Sequence, residues 1–288
     1  MKIGIVGLGR MGANMRERLR RNGHEVVGYA RDPKVSDVSS LKEMVEALSP
    51  PRVAWSMVPS GEATDSVLQD LAELLSEGDI VIDGGNSLYK DSIRRGKELS
   101  VRGLKFLDAG TSGGIWGLEV GYCLMVGGPS DAFKVVEPIF KALAPENGYA
   151  HVGPSGAGHY TKMVHNGIEY GMLQAYAEGF DLLQASDFDL DLKQIATLWN
   201  QGSVVRSWLL ELAERAFERD PKLDALQGYV EDSGEGRWTV LEAVERGVAA
   251  GVISQSLFSR FTSREENSFA MRVIAALRNE FGGHAVKQ

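Results

Sequence analysis

The sequence predicts an α/β fold class: a doubly wound parallel sheet with helices on both faces, followed by an all-α C-terminal domain. Three observations carry the prediction. Up to about residue 157, short β-rich apolar runs alternate with amphipathic stretches, the rhythm of βαβ units. From Gly158 onward the apolar period is helical and no convincing strand remains. Directly after the first apolar run stands GLGRMG, a G-x-G-x-x-G pattern between a strand and a helix, which makes the sheet Rossmann-type. The expected division is 1–157 for the Rossmann domain and 158–288 for the helical one.

The runs KIGIVG (2–7), HEVVGY (24–29), RVAWSM (52–57), DIVIDG (79–84) and LKFLDA (104–109) read as strands. CLMVGG (123–128) and GYAHVG (148–153) are candidates to extend the sheet. Among the intervening helices, SSLKEMVEAL opens with Ser40 and Glu43 at capping-box spacing. In the C-terminal domain a long helix is expected from near His159 to about Ala185, with others near 191–201, 205–218, 238–250 and 265–281. No low-complexity linker or internal repeat intervenes, so the boundary reads as a packed junction with a functional cleft along it.

With 43% hydrophobic and 24% charged residues over 288 positions, the composition is that of a soluble globular protein. The net charge of −8 argues against a general nucleic-acid binder and leaves room for a local basic pocket. The single cysteine, Cys123, excludes an internal disulfide and fits a reducing compartment; lying in a strand-like run, it is expected to be buried and inert. Trp116 and Tyr122 read as packing residues. No run approaches a membrane span and the N-terminus reads as a strand, not a signal sequence, so a cytoplasmic enzyme with no membrane partner is expected. No His/Cys/Asp cluster has metal spacing, so no metal is expected.

The glycine pattern has its own chemistry. Gly7, Gly9 and Gly12 allow a tight turn and bring backbone close to a pyrophosphate at a helix N-terminus, with Arg10 and Met11 in the same loop. The second strand ends in Tyr29-Ala30-Arg31-Asp32. An acid at that tip suits the ribose hydroxyls of NAD, whereas an arginine accommodates the 2′-phosphate of NADP. Ala30 stands where the acid is first sought and Arg31 follows, so NADP is favoured, with NAD left open by Asp32.

A second motif lies in the long helix. In KMVHNGIEY (162–170), Asn166 and Glu169 return to the face of Lys162 and His165 sits one step round. That face is too polar for core.

Taken with DGGNS (83–87), TSGG (111–114) and RNEFGGH (278–284), this motif marks a family. The sequence resembles the decarboxylating 6-phosphogluconate dehydrogenases of the β-hydroxyacid dehydrogenase superfamily, in their short bacterial form with a reduced helical domain. The resemblance implies oxidative decarboxylation of 6-phospho-D-gluconate to D-ribulose 5-phosphate and CO2 with reduction of NADP or NAD, in the oxidative pentose phosphate pathway or in gluconate utilization. It implies Lys162 as general base, Glu169 as general acid and Tyr170 as a phosphate contact. Asn86, Ser112, Gly113, Gly114, His165 and Asn166 match positions that hold the sugar acid, and Asn86 also adjoins the cofactor. GEGRWT places Arg237 where a phosphate-binding lysine is usual, and its planar fork shifts the expected phosphate position. FSRFTSR places Arg260 at another phosphate contact, and Arg278 with His284 match a tail pair supplied by a neighbouring subunit. The helical domain is thereby expected to serve substrate binding and dimerisation, in a homodimer or homotetramer. Where two acidic residues usually follow SGG, this chain has Ile115-Trp116.

The residue chemistry agrees. Oxidising a secondary alcohol requires a base that is unprotonated as hydride leaves, and burial or neighbouring positive charge lets a lysine serve. A β-keto acid then loses its carboxylate, and the enediol left behind needs a proton on carbon, for which Glu169 is placed two helical turns from Lys162. The alternative is another β-hydroxyacid dehydrogenase, 3-hydroxyisobutyrate-like, acting on a small unphosphorylated acid. It would need Lys162 and Asn166 and none of the C-terminal arginines. The tail carries apolar Phe269, Val273, Ile274, Leu277 and Phe281, the stripe of a helix packed on another surface, before Gly282-Gly283 end it.

Overall fold

The computed structural model describes residues 1–282 together with 285 and 287. Contacts divide it into two compact units, Met1–His165 and Asn166–Gln288.

In the first unit every expected strand forms: β1 (Lys2–Val6), β2 (Glu25–Tyr29), β3 (Val53–Ser56), β4 (Ile80–Asp83), β5 (Lys105–Ser112), β6 (Cys123–Gly127) and β7 (Tyr149–Gly153). Helices α1 (Arg10–Arg21), α2 (Leu41–Glu46), α3 (Glu62–Leu74), α4 (Tyr89–Val101), α5 (Gly117–Val120) and α6 (Ser130–Leu143) connect them. The sheet order is β2-β1-β3-β4-β5-β6-β7. The order reverses at β1, so the loops after β1 and β3 open the crevice where such sheets take their ligands. Both faces are covered, as the strands' near-continuous apolar runs require. Ile3, Ile5, Trp55, Ile82 and Leu107 pack on one side, and Val6, Ala54, Val81 and Phe106 on the other.

The sheet is not wholly parallel as expected: β5 and β6 pair antiparallel, with Ser112 opposite Cys123. The residues between them form only a 3-10 turn, Gly114–Trp116, and the single turn of α5, too short for a parallel crossover. This start of β6 leaves Cys123 exposed, against the expectation of burial. Trp116 is likewise 42% exposed, whereas Tyr122 is fully buried. Ser40 caps α2 as its spacing predicts, accepting from Glu43 N at 3.1 Å, while the Glu43 carboxylate reaches back to Ser39 N at 2.8 Å and not to Ser40.

Helix α7 (Ala157–Gln184) runs on from the first unit into the second. In the second unit, α8 (Leu192–Trp199) and α9 (Trp208–Arg219) close on Phe180 through Leu192, Ala196, Leu210 and Phe217. The helix expected at 238–250 is α10 (Glu235–Arg246), which starts behind Gly234 and stops before Gly247, whose φ of +65° is a left-handed C-cap. The sequence reading missed α11 (Gly251–Thr262), which follows almost at once; its Val252 and Phe258 are exposed, so its apolar stripe is broken. On α12 (Phe269–Gly282) the expected stripe of Phe269, Val273, Ile274 and Leu277 is exposed. His284 and the Phe281 side chain lie outside the described residues. Among the described residues no strand follows β7, and no helix is long and apolar enough to cross a membrane.

Candidate active site

The three glycines of the first loop do three different things. Gly7 turns the chain at φ +93°, and a Cβ there would meet the Met57 carbonyl oxygen at 2.8 Å. At Gly12 a Cβ would stand 2.0 Å from the Gly7 oxygen, so only glycine lets α1 pack on its own loop. Gly9, the α1 N-cap, faces open space: a Cβ would find nothing within 4 Å. No side chain caps this helix end and its first turn holds no acid. Its N–H groups are therefore presented to an anion that approaches along the backbone, which fits a dinucleotide pyrophosphate. Arg10 is exposed beside it and Met11 is half-buried.

Past β2, Arg31 and Asp32 are both exposed, and Asp32 Oδ1 accepts from Lys34 N at 3.0 Å. The sequence reading passed over Asp37, which stiffens this loop. Its carboxylate accepts from Gly28 N at 2.7 Å and pairs with Arg16 at 3.2 Å and Arg20 at 2.6 Å.

Asn86 is exposed at the tip of the β4–α4 loop, and its loop is anchored from below. Asp83 Oδ1 accepts from Gly85 N at 3.0 Å, and its Oδ2 accepts from Ser87 Oγ at 2.8 Å and Arg95 Nη1 at 3.1 Å. Arg95 Nε reaches Asp65 Oδ1 at 2.8 Å, which ties in α3. The side chains of Arg95 and Asp83 are only 2% and 1% exposed. A buried charge of this kind is tolerated only where it is paired and fully hydrogen-bonded.

Lys162 owes its place to a seat without side chains. A Cβ on Gly110 would lie 2.5 Å from Lys162 Cβ, and one on Gly158 would lie 2.4 Å from the Asp108 oxygen and 2.5 Å from the Met125 oxygen. A Cβ on Gly127 would strike Gly158 N at 2.7 Å. The first turn of α7 thus rests directly on the backbones of β5 and β6. Buried Asp108 holds it down, accepting from Gly156 N at 2.7 Å and His159 N at 2.8 Å, an N-terminal cap supplied from another element. His159 is buried as well, its Nδ1 at 2.7 Å from Ser92 Oγ.

On this seat Lys162 is 9% exposed, and its Nζ lies 3.4 Å from His165 Nδ1. His165 Nε2 in turn lies 3.4 Å from Ser112 Oγ at the end of β5. The three groups form one hydrogen-bonded row, with Gly113 (φ +125°) and Gly114 (φ +53°) turning the chain away beyond it. Ile115 and Trp116 point outward here, with the Ile115 carbonyl accepting from Asn14 at 3.4 Å.

Farther along α7 come Asn166 and Glu169, both half-buried, then buried Tyr170. In the second unit the Arg260 guanidinium lies 3.5 Å above the Tyr170 ring. Gly236 clears that ring: a Cβ there would reach Tyr170 Cε2 at 2.5 Å. Arg237 is held by Asp232 through Nε at 2.6 Å and Nη2 at 3.1 Å. Arg264, which the sequence reading missed, joins the same carboxylate at 2.5 Å. Hydrogen bonding from Arg237, reinforced by Arg264 and partly opposed by burial, lowers the Asp232 pKa to about 2. Arg264 lies in the turn two residues past the end of α11, as the last residue of FSRFTSR. Arg278 is exposed on α12. Among the described residues, no three His, Cys, Asp or Glu side chains group as a metal would need.

Comparison with known proteins matches residues 2–153 to the NAD binding domain of 6-phosphogluconate dehydrogenase and residues 158–282 to the C-terminal domain of that enzyme. A Bacillus subtilis (strain 168) protein, named only provisionally as a 6-phosphogluconate dehydrogenase, is 48% identical over 100% of both chains. The NAD(+)-dependent, decarboxylating 6-phosphogluconate dehydrogenase of Haloferax volcanii is 44% identical over 99% of this chain and 98% of its own. The solved 6-phosphogluconate dehydrogenase of Plasmodium falciparum superimposes with a TM-score of 0.84 at 26% identity, over 100% of this chain and 66% of the other.

Proposed function

Since the chain belongs to the 6-phosphogluconate dehydrogenase family, we propose that it oxidises and decarboxylates 6-phosphogluconate to ribulose 5-phosphate and CO2. The observation that carries this reading is the buried Lys162, tied through His165 to Ser112 at the end of β5. Gly7, Gly9, Gly12 and the first turn of α1, with Arg10 and Met11, hold NAD(P). Bound there, NAD(P) would supply the hydride acceptor for the carbon bearing the substrate's β-hydroxyl. Lys162 Nζ takes the hydroxyl proton in that step. His165 fixes the amine's position, while Ser112, Gly113, Gly114, Asn86 and Asn166 orient the sugar acid. Lys162 then returns its proton to the ketone oxygen as the carboxylate departs as CO2. Glu169 delivers a proton to the enediol carbon while Lys162 takes back the proton from the enediol hydroxyl, which completes ribulose 5-phosphate. Tyr170, Arg237 and Arg260 take the phosphate, whose double charge suits charge-assisted arginine donors.

Arg31, the cation at the tip of β2, favours NADP. The NAD(+)-dependent Haloferax relative supports the second reading, in which Asp32 binds the ribose of NAD. The exposed apolar stripe of α12 supports a homo-oligomer, at least a dimer, in which Arg278 and His284 of one chain serve the site of another. With one cysteine in the whole chain, the enzyme is assigned to the cytoplasm. The test is stoichiometric. With 6-phosphogluconate, reduced cofactor and CO2 should appear in equal amounts with either cofactor, and 3-hydroxyisobutyrate should be left untouched. Cofactor reduction without CO2 would refute the proposal.

A further inference from the structure

We infer that Arg264 is a third phosphate-binding cation of this chain and that Asp232 is the positioning residue that sets it beside Arg237. The inference rests on the proposed phosphorylated substrate and extends the phosphate site by two residues. Asp232 is 3% exposed at its side chain and spends both oxygens on guanidinium groups. Its Oδ2 accepts from Arg237 Nε at 2.6 Å, and its Oδ1 from Arg237 Nη2 at 3.1 Å and Arg264 Nη2 at 2.5 Å. Arg264 is fixed a second time, its Nε donating to the Val230 carbonyl at 2.9 Å. Arg260 Nη1 donates to the next carbonyl, that of Glu231, at 3.0 Å. The 230–232 segment thus pins all three arginines by one edge.

The opposite edges stay open. Among the described residues, the Nη1 groups of Arg237 and Arg264 and the Nε and Nη2 of Arg260 have no hydrogen-bond partner. One face of each guanidinium is backed by a ring, since Arg237 and Arg264 lie 4.5 and 5.5 Å from the Phe261 ring centre and Arg260 stacks on Tyr170. Planar donors backed by a ring and held along one edge present the other edge's N–H groups to a ligand. Among the described residues the three arginines form ion pairs with one carboxylate alone, so two of their charges lack a counter-ion there, which matches a phosphate dianion. A carboxylate this close would otherwise repel phosphate. Its role is to hold two like-charged groups side by side against their mutual repulsion.

The test compares wild type with Arg264→Ala, Arg264→Met, which keeps an unbranched apolar stem against Phe261, and Asp232→Asn. Loss of one charge-assisted contact should raise KM for 6-phosphogluconate about 10- to 100-fold in the Arg264 variants and leave kcat within about twofold. Asp232→Asn should raise KM in the same way. Inorganic phosphate, used as a probe in thermal-shift titrations, should bind the Arg264 variants about 10-fold more weakly than wild type. If wild type uses gluconate as well as its 6-phosphate, the substrate reading fails, while weaker binding of inorganic phosphate to the Arg264 variants still supports this one. If folded Arg264→Ala and Arg264→Met bind inorganic phosphate as wild type does, the inference is overturned.

Discussion

Replacing Gly110 by alanine tests how Lys162 is positioned. The new methyl would lie 2.5 Å from Lys162 Cβ, 2.8 Å from the Gly158 oxygen and 3.2 Å from Lys162 Cγ. Ordinary contact begins at 3.4 Å, so Lys162 Cβ must withdraw by about 0.9 Å. Rotating the lysine side chain cannot relieve this, because Cβ moves with the backbone and the Gly158 carbonyl belongs to the same helix. The first turn of α7 must rise off β5 and carry Lys162 with it. Misplacing a catalytic group by about 1 Å costs about 100-fold in rate, or about 2.7 kcal/mol of barrier. Overpacking of this kind also costs about 1–3 kcal/mol of stability. The assay is cofactor reduction at saturating 6-phosphogluconate, run beside a thermal melt. The glycine loop after β1 lies elsewhere, so KM for the cofactor should hold. Gly179→Ala is the control, since on the same helix its Cβ would meet nothing within 4 Å. That change should stabilise the protein by about 0.5–1 kcal/mol without touching activity. A folded Gly110→Ala variant with kcat within about threefold of wild type would refute the seat as the determinant of Lys162.

Three further outcomes are expected. Arg31→Ala should weaken NADP by about 1–3 kcal/mol and leave NAD little changed, measured as the two cofactor KM values; equal losses would remove Arg31 as discriminator. The Asp232 carboxyl titrates at about 2 instead of 3.8, so its stabilisation is complete above about pH 4 and is lost as pH falls through 2. Asp232→Asn should therefore cost about 1–2 kcal/mol in urea unfolding at pH 7, discounted because Arg237 is half-exposed, and the gap should close by about pH 2. Mixing Lys162→Ala with the Arg278→Ala, His284→Ala double variant should restore activity if tails are exchanged between subunits; proven exchange without recovery would place the tail in its own chain's site.

The sheet was legible because its signals are local. Each strand is a short apolar run with a turn signal, and the glycine pattern names its own turn. The antiparallel β6 was not legible, because alternation along a strand is the same in either direction and only the short 113–122 connection decides it. Lys162, His165 and Ser112 were named from motifs, but their row depends on Gly110, Gly127 and Gly158 meeting across three elements, and a glycine in sequence does not say what it avoids. Asp108 was overlooked for a related reason. A cap normally sits next to its helix, and this one lies 48 positions from Gly156, whose N–H it accepts. Arg95 stands in no motif, Arg264 is only the last residue of FSRFTSR, and folding alone pairs them with Asp83 and Asp232.

The two ion-pair systems should respond differently to salt. Arg95 and Asp83 are 2% and 1% exposed, so dissolved ions cannot come between them and the loop bearing Asn86 keeps its shape at any ionic strength. Arg237 and Arg264 are 51% and 25% exposed, within reach of counter-ions that compete with an incoming phosphate. Ionic strength should therefore act as a dial on substrate capture alone. In concentrated salt the enzyme would need more 6-phosphogluconate to fill its sites, and once filled it would turn over at its accustomed rate.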